Sequence, residues 1–223
     1  MALILNIETA TTNCSVSLSK DGETLVLKED YDKNYSHAER LHVYIDAILK
    51  DANLNLKDLD AIGVSKGPGS YTGLRIGVSA AKGLCFALNK PLISVSTLEA
   101  LARQVEVNDG VIVAMLDARR MEVYSAVFDF SYNQIRETQA QVLDENAFAE
   151  YLEKGKVYFI GNGVNKTKTL ITHANAVFVE DKLPSANEMS LLGYNKYKIS
   201  DIEDVAYFEP YYLKDFVALK PKS

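Results

Sequence analysis

Leu3-Ile4-Leu5-Asn6-Ile7-Glu8 is an apolar run that ends on an acid, and Val111-Ile112-Val113-Ala114-Met115-Leu116-Asp117 repeats that pattern in the second half of the chain. After the first run comes a polar turn, Thr9 to Asn13, then the alternating segment Cys14-Ser15-Val16-Ser17-Leu18-Ser19. Alternation of this kind marks a half-buried strand. Asp21-Gly22 is a hairpin turn signal, and residues from Glu23 to Tyr31 make a third strand. In the second half Val123-Tyr124-Ser125-Ala126-Val127-Phe128 resumes as a strand after a polar turn. A glycine turn then follows a short apolar run in each half, Gly67-Pro68-Gly69 after Ala61 to Val64 and Gly161-Asn162-Gly163 after Val157 to Ile160. The order strand, strand, strand, helix, strand, helix therefore occurs twice. Mixed alternation of strands and helices argues an α/β fold, here of two related lobes facing a cleft. The expected division is 1–105 for an N-terminal lobe and 106–223 for a smaller C-terminal one.

A chain of 223 residues with 48% apolar content has enough material for two modest cores sharing an interface. Cys14 and Cys85 lie far apart in apolar contexts and read as buried free thiols. The opening lacks a basic segment, and no apolar run approaches the length of a membrane span; the expectation is a soluble, cytoplasmic protein with no membrane partner. The formal net charge of −6 argues against an isolated nucleic-acid grip. Lys214, Lys220 and Lys222 near the C-terminus are the only basic concentration and read as a solvated tail.

Two helices stand out in the first half. Ser36-His37-Ala38-Glu39 fits a capping box, with Leu41, Tyr44, Ile45, Ile48 and Leu49 behind it at helical spacing. His37, at the first helical position, reads as a surface residue. The second helix, from about Thr72 to Leu88, follows Lys66-Gly67-Pro68-Gly69-Ser70-Tyr71-Thr72-Gly73-Leu74-Arg75-Ile76-Gly77. This stretch has the shape of a phosphate loop but no lysine in the place where a Walker A motif needs one. Gly69, Gly73, Gly77 and Ala81 instead recur every four residues, a spacing that lets a second backbone approach one side of a helix. The segment reads as a docking helix first and a ligand loop second. Leu74, Val78, Ala81 and Cys85 line one side of the helix; Ile76, Ala80, Gly83 and Ala87 line nearly the opposite one. One side can meet the sheet and the other needs a neighbour, and periodicity does not say whether that neighbour is internal or another protein.

The chemistry-bearing residues are few. His37 and His42 are five apart, off one another's face, so they do not make the paired ligands of a metal-binding helix. No serine elbow is present. Glu8 and Asp117 end their strands where an acid can hold Mg²⁺ or a water, and the Gly161-Asn162-Gly163 turn offers backbone N–H groups to a phosphate. The Arg119-Arg120 pair suits a carboxylate or phosphate. Neither glycine turn is followed by a Gly-Lys-Ser/Thr ending, which speaks against efficient phosphoryl transfer.

Taken together, Leu5-Asn6-Ile7-Glu8-Thr9 with Cys14-Ser15-Val16, Ser36-His37-Ala38-Glu39, the 66–77 glycine block, Ser96-Thr97-Leu98-Glu99-Ala100-Leu101, Asp117-Ala118-Arg119-Arg120 with Glu122-Val123-Tyr124, and Pro210-Tyr211-Tyr212-Leu213 resemble the TsaB (YeaZ) family. The resemblance implies a duplicated fold of the actin, sugar-kinase and heat-shock-ATPase superfamily (ribonuclease-H-like), with a mixed sheet flanked by helices in each lobe. It implies a non-catalytic paralogue of TsaD, the transferase that makes N6-threonylcarbamoyladenosine at position 37 of tRNAs reading codons that begin with A. The implied partners are a TsaD-like transferase and a TsaE-like ATPase, with tRNA held indirectly through the complex and a homodimer when the transferase is absent. TsaD holds a metal with two histidines; Thr97 and Leu101 stand in their places, so no metal and no required cofactor are expected. Glu8 stands where the family commonly has aspartate.

The expected partner or dimer interface comprises Leu41, Tyr44, Ile45, Ile48, Gly69, Gly73, Leu74, Arg75, Gly77, Val78 and Ala81, with no catalytic residue. Leucine at Gly73 or Gly77 is expected to abolish partner binding and leave the monomer folded. Glu8, Thr9, Asp117, Gly161 and Gly163 form a residual nucleotide or ion cleft. The alternative is a small-molecule kinase or ATPase of the same fold, using Glu8, Asp117 and the two glycine turns.

Overall fold

The computed structural model describes residues 1–30 and 37–214. In the first half β1 (Leu3–Glu8), β2 (Cys14–Lys20) and β3 (Glu23–Asp30) precede α1 (His37–Asp51), β4 (Ala61–Gly67), α2 (Tyr71–Leu88), β5 (Leu92–Ser96) and α3 (Thr97–Ala102). The second half repeats the series as β6 (Val111–Asp117), β7 (Glu122–Asp129), β8 (Gln134–Val142), α4 (Ala149–Leu152), β9 (Val157–Ile160), α5 (Val164–Thr167), β10 (Ala176–Val179) and α6 (Ala186–Lys198). The sheet orders are β3-β2-β1-β4-β5 and β10-β9-β6-β7-β8, which are the same order read from opposite ends. In both, the first three strands form an antiparallel meander and the later two add parallel to the first. The duplication read from the sequence is thus a duplication of topology, the fold expected. The second copy is reduced, its α4 and α5 being only 4 residues each. The proposed N-cap Ser36 and the strand end Tyr31 lie outside the described residues.

Period-2 side-chain alternation decides how the first sheet is covered. Leu5, Ile7, Cys14, Val16 and Leu18 point to one face, where α1 and α2 bring Leu41, Ile45, Ile48, Val78 and Ala81 against them. The other face of β2 carries Ser15, Ser17 and Ser19, a pattern that reads as half-buried, yet every residue from Cys14 to Ser19 is buried. The cover is α6. Ser17 Oγ donates to the Ala186 carbonyl at 2.8 Å and the Ala186 N–H donates to Ser15 Oγ at 2.9 Å. Asn13 Nδ2 donates to the Pro184 carbonyl at 2.9 Å, and Thr24 and Ser190 share a hydroxyl contact at 2.8 Å. Buried hydroxyls are tolerated because each finds a partner.

The two lobes exchange helices. The last helix of the first half, α3, packs Leu98, Leu101 and Ala102 against Ile112, Ala114 and Ala126 of the second sheet. The last helix of the second half, α6, lies on β1, β2 and β5 of the first. A boundary near residue 105 therefore separates the two sheets, but each sheet takes one covering helix from across it. After α6 the chain returns along the first lobe as a strap. Glu203 N–H pairs with the Leu92 carbonyl at 2.8 Å, and Tyr211 N–H with that of Lys66 at 2.7 Å. The Tyr212 ring packs on that of Tyr71, tilted by 36° at 4.9 Å between centroids, and Lys214 forms an ion pair with Glu122 of the second lobe. Among the described residues no helix is long and apolar enough to cross a membrane.

Candidate functional site

The glycine stripe of α2 does receive a second backbone, and it is the chain's own. A methyl group at Gly73 would lie 2.1 Å from the Thr9 carbonyl oxygen, one at Gly69 2.5 Å from that of Ala10, and one at Gly77 2.3 Å from Thr9 Oγ1. Thr9 Oγ1 donates to the Gly73 carbonyl at 2.8 Å, and Ser70 N–H to that of Ala10 at 2.7 Å. Ser70 also caps the helix, accepting from Gly73 N–H at 3.3 Å. The three glycines let the β1–β2 turn nest on α2, so larger side chains at Gly73 or Gly77 strike the fold itself and not a partner.

The same correction reaches most of the expected interface. Leu41, Ile45, Ile48, Leu74, Val78 and Ala81 are buried beneath the helix pair, each exposing 5% or less. Burying such a side chain contributes about 1.5–3 kcal/mol to folding, so these residues belong to the fold's own core. Tyr44 is half-buried, its hydroxyl donating to Asp30 Oδ2 at 3.3 Å. Of the expected set only Arg75 is exposed, its guanidinium 3.1 Å from the Tyr71 hydroxyl. The open surface lies on the opposite side of α2. Ile76, Ala80, Gly83 and Leu84 face Ala38 and His42 of α1 across an apolar groove of about 730 Å³. Among the described residues, nothing stands within 4 Å of where a Gly83 side chain would project. The second apolar side read from periodicity is thus the one that no described residue covers. Phe86, on the same helix, is exposed to 86%, and the sequence reading passed over it.

A second cavity, of about 560 Å³, lies between the lobes. Asp117, Arg119, Asn162 and Thr72 line it together with Tyr212 and Lys214 of the strap. The structure does not gather the five expected cleft residues there. Glu8 is fully buried: its Oε1 accepts from Ala10 N–H at 2.6 Å and from the Ser65 hydroxyl at 2.8 Å, and Oε2 has no hydrogen-bond partner among the described residues. Burial raises its carboxyl to about 7 in spite of those hydrogen bonds. Thr9 is fully buried under α2. Gly161 and Gly163 face inward, a methyl at Gly161 meeting the Met115 carbonyl oxygen at 2.1 Å and one at Gly163 meeting Val123 at 2.9 Å. Asn162 Oδ1 accepts the Asp117 N–H at 2.8 Å. Only Asp117 reaches the cavity, and its Oδ1 is engaged by the Arg119 N–H at 2.6 Å and Lys166 Nζ at 2.9 Å.

Lys166 shapes this wall. Its ammonium also donates to the carbonyls of Arg120 at 2.8 Å and Glu122 at 2.7 Å. These bonds hold a turn in which Arg119 and Arg120 both have positive φ, 70° and 48°, a conformation that is uncommon for such side chains.

His37 is not a surface residue as its helix position suggested. It is 2% exposed, and its Nε2–H donates to the Thr11 carbonyl at 2.7 Å; burial lowers its pKa against that bond. The α1 helix reaches across to the β1–β2 turn, which helix position alone does not reveal. Cys14 and Cys85 are buried thiols, raised by burial to about 11 and about 12. Thr97 is buried with its hydroxyl accepting from Gly67 N–H at 3.2 Å, and Leu101 is buried hydrocarbon.

A family model described as TsaD, tRNA N6-adenosine threonylcarbamoyltransferase, matches residues 32–222. The chain is 32% identical to the tRNA threonylcarbamoyladenosine biosynthesis protein TsaB of Escherichia coli (strain K12), over 97% of this chain and 96% of that protein. It is also 32% identical to the protein of the same name from Bacillus subtilis (strain 168), over 95% and 93%. The solved structure of YeaZ from Pseudomonas aeruginosa superposes with a TM-score of 0.81 at 27% identity, covering 96% of this chain and 100% of that one.

Proposed function

The chain belongs to the TsaB family, and from that membership we propose that it serves N6-threonylcarbamoyladenosine formation in tRNA as a non-catalytic scaffold. In this reading it docks a TsaD-like transferase on the outer face of α1 and α2. The modified position is 37 of tRNAs reading codons that begin with A, and a TsaE-like ATPase joins the complex. The uncovered apolar groove between the helices carries the proposal. Contiguous exposed apolar surface of this kind marks protein interaction sites. The state of the polar groups supports the non-catalytic part. Glu8 is sealed in the core and Asp117 is held by Lys166; by the family resemblance, Thr97 and Leu101 stand where a transferase would have histidine ligands. The tRNA, in this account, is gripped by the partner, in keeping with the net charge of −6.

The test is threonylcarbamoylation of tRNA by the purified transferase, the ATPase and the threonylcarbamoyl-adenylate donor, with and without this protein. Activity that depends on its addition, while the protein alone neither transfers the group nor hydrolyses ATP, is the expected result. Activity at full rate without it would end the scaffold reading. The inter-lobe cavity, with Asp117, Arg119 and Asn162 on its wall, supports a second reading as a small-molecule kinase or ATPase. ATP turnover by the isolated protein would favour that reading.

A further inference from the structure

The strap that follows α6 is firmly held at its root and lightly held at its tip. At the root, Glu203 N–H donates to the Leu92 carbonyl at 2.8 Å and Ser94 Oγ donates to Glu203 Oε1 at 2.5 Å. Val205 and Phe208 pack against the first-lobe core, and Lys82 Nζ donates to the carbonyls of Ala206 at 3.1 Å and Phe208 at 2.9 Å. Farther along, the hold thins to the Tyr211 N–H on the Lys66 carbonyl and the tilted contact of Tyr212 with Tyr71. Tyr211 and Tyr212 are already 44% and 38% exposed. Lys214, the last described residue, leaves the first lobe and pairs with Glu122 of the second. That end of the pair is stiff. The Glu122 carbonyl accepts from Ala118 N–H at 3.0 Å and from Lys166 Nζ at 2.7 Å, and its N–H donates to the Arg119 carbonyl at 3.2 Å. A backbone fixed by three bonds presents its carboxylate from a set place.

This pair sits at the inter-lobe cavity. Tyr212, Leu213 and Lys214 of the strap line the cavity opposite Asp117, Arg119 and Asn162 of the second lobe. Among the described residues, none of α3 or α6, the helices that the lobes exchange, lines it. The exchanged helices join the lobes by buried contacts, and the strap joins them at the cavity by an exposed ion pair. We infer that the strap is a clasp on the inter-lobe cleft, with Lys214 as its tongue and Glu122 as its catch. A ligand that closes a two-lobed cleft does so by touching both walls at once. Here the end of the strap touches both, so the cleft is held at its present width by the chain itself. An exposed ion pair contributes little to stability and is screened by salt. The clasp therefore opens while both lobes stay folded. It lies on the cleft and is independent of docking at the helix pair.

The experiment is a pulsed electron-spin distance measurement on the full chain, with spin labels on Lys57→Cys in the first lobe and Lys154→Cys in the second, both exposed positions. Cys14 and Cys85 are buried thiols and stay unlabelled. In this background one narrow distance is expected. Lys214→Ala and Glu122→Gln, which break the pair from opposite lobes, should each broaden it toward longer distances, with a melting temperature little changed. The double variant should be no broader than either single one, because both remove the same interaction. Salt at about 1 M, where the screening length falls to about 3 Å, should broaden the parent and leave the double variant as it is. Distributions that superimpose in parent and variants overturn the clasp. Broadening that is additive in the double variant, or that comes with a clear fall in melting temperature, also overturns it, since the two residues then act on the fold and not on each other.

Discussion

Replacing Glu8 by glutamine should remove a pH dependence of stability that the buried carboxyl imposes. The native protein holds this proton up to about pH 7, whereas an unfolded chain releases it near 4.5. Between those values the native state binds more protons than the unfolded state, so stability falls as pH rises through the window and levels off above it. At about 1.4 kcal/mol per pH unit, the window is worth about 3 kcal/mol. The side chain is fully buried with one oxygen unpartnered, so little solvent screening reduces that figure. Glutamine keeps an acceptor oxygen for the Ala10 N–H and the Ser65 hydroxyl and cannot ionise. Urea unfolding of both proteins at pH 5 and pH 8 is the assay. The other titrating groups, including His37, are common to the two chains and cancel in the difference between their profiles. Glu8→Gln is expected to gain about 3 kcal/mol relative to the parent at pH 8, and much less at pH 5. Parallel profiles would show that Glu8 is ionised in the native state, and the account of its burial would fail.

Two glycines of α2 should respond in opposite ways. Gly73→Ala drives a methyl into the Thr9 carbonyl and is expected to destabilise by about 3 kcal/mol or more, with a lowered melting temperature and not a selective loss of partner binding. Gly83→Ala meets open space and should stabilise by about 0.5–1 kcal/mol through helix propensity; equal melting temperatures in the two variants would contradict the packing described. Lys166→Ala removes the ammonium that joins Asp117 to the carbonyls of Arg120 and Glu122. A loss of about 1.5–3 kcal/mol is expected, with faster amide exchange confined to residues 118–122, and unchanged exchange there would show that the turn holds itself.

Local pattern was enough to read the architecture. Two apolar runs ending on Glu8 and Asp117, each followed by an alternating strand and later by a glycine turn, define the duplicated series, because strand and helix periods are properties of neighbouring residues. The two apolar sides of α2 were legible for the same reason. Which side is core was not, since Leu74 and Ile76 look alike until the sheet is in place. The neighbour of the glycine stripe is a turn roughly sixty residues earlier in the chain, Thr9–Ala10, and no local signal encodes that proximity. Tertiary contacts likewise took His37 and Glu8 out of solvent, covered the serine face of β2 with α6, and turned Gly161 and Gly163 away from the cleft. The sequence by itself determined the elements, their order and their duplication. The tertiary structure decided which faces remain for a partner, because burial is a property of surfaces brought together from distant parts of the chain.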